Sequence, residues 1–347
     1  MTDAPLEAPK PKLSLKNDTI VIPASQMPAF RTSVALQDGC ERNIIFRTWG
    51  GIGDQICAEP TLRYALREFK DCQISLASES PELFRHLKFK RVFDLREEQP
   101  IWDRYLTLDT IVPPTNLIWQ FVCHMLVNCV DFPAICALRG QLPVSDREVK
   151  LVPDDDTQRD MQQYVETTFD RKRAVVVHPG KHWQSKTFPK LWWDAVLYRI
   201  SNAGCQPIII GAKADDNRGT VDVETNLPNL FDLRDSLSIM ETVALLQNMP
   251  VLLTNDSSPL HMAVTGSAWI GYVATVKHPD HITHWRRGQW GWRMQNHGRG
   301  GIWDVIDHCP NKDKNVEVET VDDALLTSWL PNPVEFANWG MEKLHDA

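Results

Sequence analysis

The chain is 347 residues long, more than one hydrophobic core comfortably takes, so two α/β halves of ordinary size are expected. Its 43% hydrophobic and 24% charged residues are those of a globular protein, and no apolar run approaches the ~20 residues of a membrane-spanning helix. A formal net charge of −8 excludes a global basic field for nucleic acid, so a polyanionic partner must be held locally.

Residues 1–42 bear Pro and Lys and are weakly patterned, which predicts a flexible leader. Its start lacks the apolar stretch of a secretory signal and carries acids that a transit peptide avoids, so a cytoplasmic location is expected. Regular structure is expected from Asn43. Residues 44–49 read as a buried strand, Gly50-Gly51-Ile52-Gly53-Asp54 as a tight turn, and 58–69 as a helix with apolar residues at helical spacing. Strands near 73–77 and 91–95 flank a short helix near 81–87. Residues 117–138 are helical by pattern, broken or kinked at Pro133. A polar stretch from Val152 leads into a helix at 156–169.

The second half repeats the grammar. Strand 173–178 meets the turn Pro179-Gly180, helix 189–202 follows, strand 207–210 ends at Gly211, and helix 238–248 precedes strand 251–254. A turn into a helix at Ser258 and a strand at 270–274 complete it. Two rounds of strand–helix alternation predict two Rossmann-like, doubly wound domains facing an interdomain cleft, at 43–168 and 169–320. Residues 321–347 give two helices about the turn Pro331-Asn332-Pro333, expected to cross back to the first domain.

Three segments carry chemistry. Glycines at 50–53 let the backbone approach a ligand at a helix N-terminus; Asp54 is either the helix cap or a general base facing the cleft. In the loop Lys181-His182-Trp183-Gln184-Ser185-Lys186-Thr187-Phe188-Pro189, Lys186 precedes a helix and is either a solvated surface charge or a cation for a diphosphate. The elbow Thr254-Asn255-Asp256-Ser257-Ser258-Pro259-Leu260-His261 is a capped helix start whose N–H groups at 258, 260 and 261, with the Ser257 and Ser258 hydroxyls, are candidates for phosphate oxygens. Eight cysteines without a C-x-x-C pair read as free thiols, and the acid clusters 154–156 and 215–216 as solvated turns rather than metal sites.

The Gly-Ile-Gly-Asp turn at 51–54, His178-Pro179-Gly180 followed by Lys186-Thr187-Phe188-Pro189 and Trp193, and Asn255-Asp256-Ser257-Ser258-Pro259-Leu260-His261, in this order, resemble the family 9 glycosyltransferases, the heptosyltransferases. The resemblance spans 43–276. It implies a GT-B fold with an acceptor-binding first domain, a donor-binding second domain, and inversion at the anomeric carbon without a metal or cofactor. By position, Asp54 is then the catalytic base; Lys181, Lys186, Thr187, Asp256, Ser257, Ser258 and His261 hold a nucleotide-diphosphate sugar; Asp215 or Asp216 lies near the ribose; and Gly51 and Gly53 lie on the acceptor side.

The stretch 284–303 departs from the family. Arg286, Arg287, Arg293 and Arg299 alternate with four tryptophans, Trp290 among them, with no intervening acid. It suits either an anionic acceptor, Arg286, Arg287 and Trp290 making the contacts, or a structural plug. The leading acceptor is an anionic glycan such as lipopolysaccharide core, reached without more than peripheral membrane contact. The alternatives are a hydroxylated base in DNA, as phage-type glycosyltransferases modify, and a non-catalytic nucleotide-sugar-binding protein.

Overall fold

The computed structural model describes residues 43–68, 72–102, 148–213, 219–273, 275 and 322–346, with the backbone of 14–16, 19–21 and 106–109. Within the segment read as a leader, β1 (Ser14–Lys16) and β2 (Thr19–Val21) pair antiparallel. Only Asn17 and Asp18 separate them, residue types that tight hairpins favour.

The first parallel sheet is built on β3 (Asn43–Thr48), whose Ile44, Ile45 and Phe46 are buried, as expected of a strand covered on both faces. It is followed by α1 (Ile52–Glu68), β4 (Gln73–Ser78), a 3₁₀ turn at Pro81–Phe84, β5 (Val92–Asp94) and β6 (Leu106–Asp109). The spatial order is β5-β4-β3-β6, all parallel. Helix α1 begins six residues before the periodicity predicts. Glycine at 53 weakens the local helical signal, yet it is tolerated in a first turn whose N–H groups lack intrahelical partners anyway.

The second sheet follows α2 (Asp155–Thr168). Its strands are β7 (Ala174–His178), β9 (Gln206–Ile209), β11 (Phe231–Asp232), β12 (Val251–Asn255) and β13 (Trp269–Val273), in the parallel order β11-β9-β7-β12-β13. A small antiparallel pair, β8 (Gly180–Lys181) with β10 (Gly219–Thr220), pins the loop after β7. Helices α3 (Lys190–Asn202) and α4 (Ile239–Asn248) supply Trp193, Val196, Leu197 and Ile200, and Val243 to Leu246, to a core centred on Val175 to Val177 and Leu252 to Leu253. Helix α5 (Ser258–Ala263) connects β12 toward β13.

In both sheets the first strand sits inside, with later strands added to either side, so the order reverses between β3 and β6 and between β7 and β12. Such switch points open a crevice beyond the carboxyl ends of the strands. The segments singled out in the sequence lie there: 50–54 leaves β3, 180–187 leaves β7, and 256–258 leaves β12.

Two placements differ from expectation. Helix α2, assigned to the first half, packs on α4 of the second, its Val165 buried and Phe169 edge-on to Phe231. The chain ends in α6 (Asp323–Trp329) and α7 (Pro333–Lys343). Instead of returning to the first sheet, α7 packs on α3, β12 and β13. Its Gly340 faces Leu253 and its Trp339 crosses Gly271, where a Cβ would lie 2.5 Å from the indole, so two glycines let this helix lie close. Its Asn338 accepts from Arg199 Nε at 2.8 Å, and Trp192 Nε1 donates to Pro331 O at 2.8 Å.

Candidate functional site

The glycine turn after β3 is held by one buried amide. Gln55 Nε2 donates to Gly50 O (3.2 Å), and its Oε1 accepts from Ser78 Oγ (2.9 Å) and Ser80 N (3.1 Å), tying the ends of β3 and β4 together. Gly50 takes φ 87°, a left-handed conformation that favours glycine, and its N–H donates to Glu79 Oε2 at 3.1 Å. Asp54 is exposed in the first turn of α1, where the helix dipole favours a carboxylate. It lies over Gly51, on which a Cβ would sit 3.0 Å from Asp54 Oδ2.

Farther along α1, Glu59 is fully buried. It accepts from Arg63 Nε (2.7 Å), Lys150 N (2.9 Å) and His86 Nε2 (3.4 Å). Burial works to raise its pKa, but these hydrogen bonds outweigh it and hold the carboxyl below its ordinary range.

Across from the turn, Gly53 touches the other half: a Cβ there would meet His261 Cδ2 at 2.6 Å. His261 Nδ1 is also 3.9 Å from Cys57 Sγ. The imidazole expected near a donor thus also joins α5 to α1. Leu260 N donates to Ser257 O at 3.1 Å, so this N–H already has a partner within the chain. The first turn of this short helix closes on its own cap residue.

In the loop after β7, Lys186 Nζ lies 2.5 Å from Asp256 Oδ2, both side chains mostly covered, and 4.3 Å from the Trp183 ring centroid. The two residues expected separately at the donor therefore form one unit. Asn255 Nδ2 braces the loop, donating to Gly180 O (2.8 Å) and Lys186 O (2.6 Å). Thr187 Oγ1 accepts from His182 N (3.1 Å) and donates to Trp183 O (2.8 Å), so this hydroxyl shapes the loop. Lys181 lies half-buried in β8. Ser257 and Ser258 stand half-buried where β12 turns into α5.

His178, at the end of β7, is buried, and burial pushes its pKa down to about 4, so the ring is neutral at neutral pH. Its Nδ1 faces Ser257 Oγ at 3.0 Å and Thr254 Oγ1 at 3.3 Å, and the two hydroxyls are 3.0 Å apart. Sequence reasoning quoted this histidine only as part of a motif and passed over Gln55 and Glu59. His178-Pro179-Gly180 at a strand end was a usable signal for the first; nothing local marked the others. Asp215, Asp216, Arg286, Arg287 and Trp290 lie outside the described residues.

Among the described residues no group of three or more His, Cys, Asp or Glu side chains is placed to hold a metal ion, and no helix is long and apolar enough to cross a membrane. Of the acid cluster at 154–156, Asp154 caps α2 by accepting from Thr157 N at 2.9 Å, and Asp156 pairs with Arg159 at 2.7 Å.

Residues 141–268, containing the Lys186 loop, His178 and the 254–261 elbow, match the family model described as glycosyltransferase family 9 (heptosyltransferase). In structure the chain is similar to a glycosyl transferase family 9 protein from Veillonella parvula DSM 2008, with TM-score 0.54 and 12% identity over 88% of this chain and 98% of that one. It is also similar to the bacterial iron-containing dodecameric glycosyltransferase TibC from enterotoxigenic E. coli H10407, with TM-score 0.54 and 15% identity over 88% of this chain and 76% of that one. TibC in complex with ADP-D-β-D-heptose gives TM-score 0.53 with the same identity and coverage. At these identities the structural likeness is one of fold. A search of curated protein sequences gives no match.

Proposed function

We propose that this chain, which carries a family 9 (heptosyltransferase) domain and is a glycosyltransferase, moves a sugar from a nucleoside-diphosphate sugar to an acceptor hydroxyl with inversion and without a metal ion. In this reading the two sheets are Rossmann-like halves of a GT-B enzyme, the first taking the acceptor and the second the donor. One observation carries it: Gly53, next to Asp54, packs on His261, three residues beyond Ser258. Three helical residues rise about 4.5 Å, so the exposed carboxylate and the serines of the elbow belong to one locality.

The chemistry follows from the groups present. Asp54 removes the proton as the acceptor oxygen attacks the anomeric carbon, a contribution of ~10²–10⁴-fold. The departing diphosphate gathers charge, which Lys186, Lys181 and the hydroxyls of Ser257 and Ser258 stabilise. Asp256 keeps the Lys186 ammonium in place until the donor arrives. The ADP-D-β-D-heptose bound by TibC makes ADP-heptose the first donor to test. An anionic glycan such as lipopolysaccharide core is the acceptor we favour over DNA, because a chain of net charge −8 repels a long polyanion.

The test is Asp54→Ala assayed with a panel of nucleoside-diphosphate sugars. Transfer should fall by ~10²–10⁴-fold while donor affinity stays near wild type. Unchanged transfer would remove Asp54 as the base. A wild type that binds donors without transferring or hydrolysing any would favour a non-catalytic protein.

A further inference from the structure

Ser257 occupies the N-cap position of α5 but makes no capping bond. Serine is favoured there because its hydroxyl can accept from the helix N–H groups, so a cap that declines this bond has another assignment. Its Oγ is instead 3.0 Å from His178 Nδ1, 3.0 Å from Thr254 Oγ1 and 3.2 Å from Asn255 O. The backbone is built around that imidazole. A Cβ on Gly180 would meet His178 Cε1 at 2.8 Å, and one on Gly211, at φ 115°, would meet Cδ2 at 2.9 Å and Nε2 at 3.0 Å. Glycines at 180 and 211 thus leave room for the ring where a side chain would collide with it.

The proton inventory is compatible with either tautomer of the ring and separates what each would do at Ser257. A neutral imidazole has one N–H. Thr254 Oγ1 can donate to Asn255 O (3.1 Å) or His178 O (3.4 Å), and Ser257 Oγ to Asn255 O (3.2 Å), so both hydroxyl protons have carbonyl acceptors without using the ring. With its proton on Nδ1, the ring donates to the Ser257 oxygen and leaves the serine proton free to turn. With the proton on Nε2, the serine proton is drawn to Nδ1 instead; Nε2 lies beside Gly211 with no hydrogen-bond partner among the described residues in either case.

We infer that His178 is a positioning residue: its Nδ1–H donates to Ser257 Oγ and so presents the Ser257 hydroxyl proton to a phosphate oxygen of the nucleoside-diphosphate donor. This rests on the donor site proposed above. The relay makes Ser257 a hydrogen-bond donor before the donor arrives and polarises its O–H without placing a second cation beside Lys186. Chains of hydrogen bonds strengthen one another in this way. Thr254 Oγ1 lies 3.3 Å from the same nitrogen, with Asn255 O at 3.1 Å within reach of its own proton.

The experiment measures nucleoside-diphosphate affinity by calorimetry, using ADP, UDP, GDP and CDP, for wild type, Ser257→Ala, His178→Asn, His178→Gln and the Ser257→Ala/His178→Gln double variant. Asparagine places an amide N–H where Nδ1 lies; glutamine reaches only the Nε2 position. Ser257→Ala and His178→Gln should each weaken binding about 10- to 100-fold, the range of a lost hydrogen bond to a charged group. The double variant should be no worse than either single, and His178→Asn should stay within about twofold of wild type. In transfer assays His178→Gln should raise the donor KM and leave the acceptor KM alone. The ¹⁵N resonances of His178 in the wild type report the tautomer without any substitution, and should show Nδ1 protonated. A proton on Nε2, or losses that multiply in the double variant, would overturn the inference and leave the donor site standing. A wild type that binds no nucleoside diphosphate would remove the donor site, and this relay with it.

Discussion

At Lys186 two demands meet. The ammonium is 2.5 Å from Asp256 Oδ2 with both side chains about nine-tenths covered, so each compensates a charge that would be costly alone. At the donor site proposed above, a diphosphate arriving beside this pair would meet a cation whose position is already fixed, with little side-chain entropy left to lose on binding. Removing the lysine deletes the attraction and also exposes the donor to an uncompensated Asp256. Lys186→Ala should therefore lose roughly hundredfold (~3 kcal/mol) in nucleoside-diphosphate affinity with the bare nucleoside unaffected. Adding Asp256→Asn should recover part of that loss. Calorimetry with a nucleoside and its diphosphate checks both points; equal weakening of the two ligands would mean that Lys186 acts through the loop rather than on phosphate.

At the scale of elements, the contact between α1 and α5 sets where the two halves meet. Gly53 offers His261 a surface without a side chain, and a Cβ 2.6 Å from the imidazole has no room unless the ring or one helix start moves. Gly53→Ala should cost about 1–3 kcal/mol of stability, the range for overpacking, and reduce transfer more than donor binding, because it shifts Asp54 relative to the elbow. His261→Ala in the same chain should restore most of the transfer. Parallel melting and transfer assays check this, and a double variant as slow as Gly53→Ala would refute the steric account. The elements themselves were largely legible beforehand: 174–177 and 251–253 are continuous apolar runs, as strands buried on both faces must be, and each leads into polar residues and a turn. Long-range pairings were not legible. That His261 would face Gly53, and that Lys186 would face Asp256, depends on residues 208 and 70 positions apart, which no local period encodes. Gln55 fell between the predicted turn and the predicted helix with nothing local to mark it, and only the neighbouring strand end, bringing Ser78 and Ser80, gives it a role.

For the whole molecule, burial of titratable groups makes stability depend on acid in two separate windows. His178 titrates at about 4 when folded against 6.5 when free, so between these values the unfolded chain takes a proton that the native one refuses. Unfolding becomes easier as pH falls from about 6.5 toward 4, by ~3 kcal/mol in total, and no further loss comes from this group below that. Glu59 acts in the same direction in a lower window: its folded pKa lies below the ordinary 4.5, so the stability it contributes is fully present above that value and is lost as pH falls from there through the lowered one. The acid arm of the stability curve should thus begin to fall near pH 6.5, well before carboxylates titrate. In His178→Asn the slope between pH 6.5 and 4.5 should flatten while the later drop persists. Chemical denaturation of both proteins at half-unit steps from pH 7.5 to 3.5 measures this, and identical slopes across the upper window would show that His178 is not the group held neutral.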